Sequence, residues 1–84
     1  MHPTGGSEAA ALSREFAMNQ RWQYRPMSQL VAELGEPKLL LNIPGGGNPP
    51  GFVAYYGLDP ASGCIDAFAL VWGDDPLIRA YYCR

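Results

Sequence analysis

Two apolar runs, Cys64–Trp72 and Leu77–Cys83, stand on either side of Gly73-Asp74-Asp75-Pro76. Strand-length runs separated by a turn signal restrict this part of the chain to a β-hairpin. Setting Trp72 opposite Leu77 places Phe68 across from Tyr81 and Asp66 across from Cys83. One face of the hairpin then carries Phe68, Leu70, Trp72, Leu77 and Tyr81. The other carries Ile65, Ala67, Ala69, Val71, Ile78, Ala80 and Tyr82. Both faces are apolar, yet helices in an α+β fold cover one side of a sheet. The second side must meet the folded-back first helix, a second subunit or a partner protein.

The same register bears on the cysteines. Cys64 and Cys83 are the only two, and a structural zinc site needs four ligands. Two explanations remain, buried free thiols or one disulfide. Cys64 falls diagonal to Cys83 on one face, and a two-residue shift or a bulge brings them opposite. The disulfide is therefore the favoured reading. It would clamp the open end of the hairpin and, by loop entropy, stabilise the fold by about 3 kcal/mol. A disulfide also implies an oxidising compartment.

Upstream, residues 1–6 read as a disordered leader and 7–84 as a single α+β domain. Ser7 can cap a helix whose first turn holds Glu8, and Ala9, Leu12 and Phe16 follow at helical spacing. This helix should fade by Asn19 or Gln20, before the aromatic and basic linker 21–25 that Pro26 ends. Met27, Leu30, Val31 and Leu34 form one buried face of a second helix. Ser28 or the residues just before it can cap its start, Gly35 suits its C-terminal cap, and Pro37 forbids continuation. Lys38–Ile43 reads as a strand, Pro44–Gly51 as a loop, Phe52–Tyr56 as a strand ending at Gly57, and Asp59–Gly63 as a type I turn. The expected architecture is two N-terminal helices packed on a four-stranded antiparallel meander sheet, a two-layer sandwich.

Composition removes several classes of function. Hydrophobic residues make up 48% of 84 and charged residues 17%, against about 25% charged in ordinary domains. That balance opposes intrinsic disorder. The six basic residues are scattered and the net charge is −2, so nothing favours nucleic acid. No apolar stretch approaches the roughly 20 residues of a membrane helix, and the start lacks the layout of a signal peptide.

Motifs with chemical potential reduce to plain readings. Gly45-Gly46-Gly47 is followed by Asn48-Pro49-Pro50, not the Lys-Ser/Thr of a phosphate loop. Asp74-Asp75 lacks further ligands at calcium-loop spacing and reads as solvated turn residues, as Asp59 does. Asp66 reads as an exposed strand carboxylate. The serines lack a nucleophile-elbow context, and His2 is the only histidine. These observations imply no enzyme, no cofactor, no metal and no small-molecule substrate. Aromatic residues at linkers and strand ends, with nearby arginines, are the candidate partner contacts: Trp22, Tyr24, Arg25, Trp72, Arg79 and Tyr81.

The segment Arg25-Pro26-Met27-Ser28-Gln29-Leu30-Val31-Ala32-Glu33-Leu34-Gly35-Glu36-Pro37 resembles the helix-to-strand signature of the SmpA/OmlA family. Leu34-Gly35-Glu36-Pro37 matches its ending, while Pro26 stands where the family usually has glycine. Gly51–Tyr56 and the closing strands look like a variant of its aromatic strand and meander. The resemblance spans about 60 residues, from Arg25 onward. It implies a small accessory lipoprotein of outer-membrane assembly, although no lipid-anchoring cysteine stands near the start of this chain. The expected role is a non-enzymatic protein-binding module of the bacterial envelope, periplasmic or outer-membrane associated. The rival expectation is a cytoplasmic inhibitor or accessory subunit using the same apolar face.

Overall fold

The structure, a computed structural model, describes residues 8–47 and 50–84. The expected leader and the Ser7 cap lie outside the described residues. Two helices, α1 (Glu8–Trp22) and α2 (Met27–Leu34), precede four strands: β1 (Leu39–Gly47), β2 (Pro50–Asp59), β3 (Cys64–Val71) and β4 (Leu77–Cys83). The strands form one antiparallel meander in the order β1-β2-β3-β4. This is the expected α+β architecture.

Both helices lie on one face of the sheet. Phe52 pairs with Leu70 and Ala54 with Phe68, and all four are buried with Trp22, Leu30, Ile78 and Tyr81. Phe68 is the centre of this core, meeting Trp22, Tyr56 and Tyr81 edge-on at centroid distances of 6.2, 5.7 and 5.2 Å. Such T-shaped contacts suit the ring quadrupole and add to the gain from burial.

The hairpin register agrees with the sequence at its far end and departs from it near the turn. Asp66 faces Cys83 and Phe68 faces Tyr81, but a bulge follows, so Leu70 pairs with Ile78 and Val71 with Leu77. One extra residue on β4 flips side chains between faces. Ile78 consequently joins the core, not the opposite face assigned to it, and Leu77 leaves the core side. Cys64 and Cys83 need no shift. They bridge diagonally with a Cα separation of 4.9 Å, inside the usual span.

Further expectations are corrected. α1 continues to Trp22 instead of fading at Asn19, because its last turn is locked onto β4. It docks not by Leu12 and Phe16, each 66% exposed, but by Arg14, Glu15, Met18, Asn19 and Trp22. The loop assigned to 44–51 is shorter, since β1 runs to Gly47 and pairs again with Pro50 after an irregular stretch. β2 likewise passes through Gly57 because a bulge there uses glycine's access to a φ of 137°. The turn after β2 closes one residue later than a type I turn, with Gly63 N donating to Asp59 O.

α2 begins without a cap of its own. Asp75, in the β3–β4 turn, accepts from Ser28 N at 3.1 Å and from Ser28 Oγ at 2.6 Å. A carboxylate from a distant turn thus satisfies the helix start and complements its dipole. Asp75 is therefore a helix cap, not merely a solvated turn residue. At the other end Gly35, with φ 84°, donates its N–H to Val31 O.

Candidate functional site: the uncovered sheet face

The side of the sheet away from the helices is built of two transverse rows. Leu39, Tyr55, Ala67 and Tyr82 form one, and Leu41, Val53, Ala69 and Ala80 form the other. Alternation along each strand sends these residues to one face. Small residues down the middle, between Tyr55 and Tyr82, leave a groove of about 490 Å³. Leu41 and Val53 line it toward β1, with Ala69 between them and β4. α1 does not fold back over this face. Leu39, Leu41, Ile65 and Tyr82 remain 40–51% exposed.

Arg79 and Arg84 rim the groove on the β4 side. Arg79 is the additional residue of the bulge, so the irregularity that buries Ile78 also sets this guanidinium at the groove. Arg84 lies over the ring of Tyr82, 5.2 Å from its centroid. Among the described residues neither arginine has a salt bridge. The arginines on the helix side do: Arg14 pairs with Asp66, and both Arg21 and Arg25 pair with Glu33. Although the whole chain is slightly acidic, this groove is apolar and cationic.

The six residues singled out as partner contacts divide into three kinds. Trp22 and Tyr81 are 1% exposed and belong to the core, so neither can present a surface to a partner. Arg25 is occupied: its guanidinium lies 4.5 Å from the Trp22 ring centroid and bonds Gln29 and Glu33. Tyr24, Trp72 and Arg79 are exposed. Tyr24, at φ 70°, sits in the linker along the outer edge of β4, with its N–H donated to Ile78 O. Trp72 stacks on Phe52 at 4.2 Å and closes the end of the core. Only Arg79 of the six lines the groove. Tyr55, Tyr82 and Arg84 also line it without belonging to that set. Strand alternation could have found the tyrosines, whereas the groove itself depends on the pairing of all four strands.

Asp66 is not an exposed strand carboxylate. It accepts from Arg14 Nε at 2.9 Å and Nη2 at 2.8 Å, and from the Tyr81 hydroxyl. The hydrogen bond to Asp66 pushes the Arg14 pKa further up, and burial followed by Asp66 pushes the Tyr81 phenol up. Asp59 is held below its ordinary range, first by the Ser62 hydroxyl and with help from Arg14. Every polar side-chain atom buried here has a partner, and the cluster ties α1 to the sheet. Among the described residues, no three His, Cys, Asp or Glu side chains gather as metal ligands. No helix among them is long and apolar enough to cross a membrane. Comparison with protein-family models, with curated proteins and with solved structures finds no match to this chain.

Proposed function

We propose that this chain is a non-enzymatic protein-binding module of the bacterial cell envelope, and that its partner docks on the uncovered sheet face. The observation that carries this reading is an apolar groove rimmed by two arginines that have no carboxylate partner among the described residues. Burial of Tyr55, Tyr82, Leu41 and Val53 would supply the non-directional part of the affinity. Arg79 and Arg84 would select a partner that brings acidic groups, since opposite charge steers and orients docking. The Cys64–Cys83 bridge supports an oxidising compartment. The helix-to-strand segment from Arg25 to Pro37 supports the likeness to SmpA/OmlA accessory lipoproteins.

Photo-crosslinking in the native host tests the reading. A benzophenone amino acid at Tyr82 should yield a discrete adduct with a partner protein, and Arg79→Glu should abolish it. The same probe at Tyr24, in the linker and outside the groove, should yield none. Adducts from Tyr24 and not from Tyr82, or two free thiols in the native protein, would end the proposal.

A further inference from the structure

The two edges of the sheet are treated very differently. At β4 the helical segment occupies the outward backbone. Asn19 bonds both the N–H and the carbonyl of Tyr81, at 2.8 and 2.9 Å, and the Glu15 carboxylate accepts from Cys83 N at 2.9 Å. Gln23 donates to Arg79 O. The linker completes the closure, because Tyr24 N donates to Ile78 O, Ile78 N to Arg25 O, and Met27 N to Pro76 O. An edge sealed in this way cannot add a strand.

β1 has no such cover. It is the other end of the sheet, and among the described residues nothing pairs with its outer side. Its start, Leu39-Leu40-Leu41, is 48–51% exposed at each position. The strand carries no charged residue over its whole length. Edge strands are normally protected by charge, a bulge or a covering element. Beyond Asn42 a register irregularity and Pro44 interrupt this edge, but over residues 39–42 it offers unpaired backbone groups between leucines on both faces.

We infer that β1 pairs with β1 of a second copy of this chain, joining two four-stranded sheets into one of eight strands. A copy suits this edge better than a charged partner because the strand has no charge to complement. The geometry also selects a register. In an antiparallel ladder, residues whose amides point outward share one parity, so a strand paired with its own copy sets one residue opposite itself. Centring on Leu40 places Leu39 against Leu41 and Lys38 against Asn42, so every leucine meets leucine and no like charges meet. Centring on Leu39 would put Lys38 against Leu40, and centring on Leu41 would put Leu40 against Asn42. The two-fold axis then stands perpendicular to the sheet. Both helical layers lie on one side of the assembly, and both grooves open on the other. This dimer does not rest on the docking reading, since Leu40 lies outside the groove.

Sedimentation of the oxidised full chain tests it. The wild type should sediment with twice the mass of the chain as concentration rises. Leu40→Lys sets two ammonium groups opposite each other at the axis and should weaken association by about tenfold or more. Phe16→Lys, on the exposed stripe of α1, should leave the dimer unchanged. Should Leu40→Lys fail to fold, amide exchange of the wild type gives the answer, with the outward-pointing amides among residues 39–42 becoming more protected as concentration increases. A wild type that stays monomeric, exchange in β1 independent of concentration, or a dimer lost with Phe16→Lys and kept with Leu40→Lys would each overturn the inference. Photo-crosslinking at Tyr82 reads the docking face separately, so either proposal can fail alone.

Discussion

Arg14 of α1 and Asp66 of β3 meet across 52 positions of sequence in a two-pronged ion pair, with N–O distances of 2.9 and 2.8 Å. Tyr81 of β4 donates its hydroxyl to the same carboxylate. One acidic residue therefore joins a helix to two adjacent strands. The pair is partly shielded, with the two side chains 28% and 15% exposed, so it outweighs an ordinary surface contact.

Asp66→Ala should lower unfolding free energy by about 2 kcal/mol, because it removes both charged hydrogen bonds of Arg14, leaving only the 3.7 Å ion pair with Asp59, and strands the buried Tyr81 hydroxyl. Denaturant titration measures this. A loss close to zero would mean that α1 is held by its contacts with the β4 edge alone.

Asp75→Ala should destabilise the protein by about 1 kcal/mol, the ordinary worth of an N-terminal helix cap. The effect arises in α2, 47 positions away in sequence. Amide exchange at Ser28 should therefore accelerate more than exchange in the core of β3. Equal acceleration throughout would argue against a local cap.

Alkaline pH should weaken the fold from about pH 10 upward. Burial raises the phenols of Tyr81 and Tyr56 above their ordinary value of about 10, with Asp66 and Glu36 respectively adding to the effect. Above that pH the unfolded chain releases these protons while the folded chain retains them. The unfolded state then binds fewer protons, and stability falls as pH rises. Tyr81→Phe should flatten that decline in a pH series of denaturation midpoints, whereas an unchanged slope would exclude Tyr81 as a source.

Much of this molecule was legible from local patterns. The helical spacing of Met27, Leu30, Val31 and Leu34, closed by Gly35 and Pro37, marks α2 because an apolar stripe and a C-terminal stop are local properties, although of the four Leu30 is the one fully buried and Leu34 is left 44% exposed. The turn at 73–76 and the alternation around it set Asp66 against Cys83, and that pairing brings Cys64 to Cys83. Two apolar faces on one hairpin left the second to the folded-back first helix, a second subunit or a partner, and local pattern could not choose among them. The remaining features were decided by tertiary structure, because each depends on partners distant in sequence. Whether α1 buries Leu12 and Phe16 or Arg14 and Asn19 depended on what β3 and β4 offered, and Asp66 with the open β4 backbone favoured the polar side. Whether Ile78 or Leu77 enters the core depended on a single-residue bulge, invisible to alternation, which also delivers Arg79 to the groove. Periodicity specifies which residues share a face of one element, while the choice of what covers that face belongs to the assembled sheet.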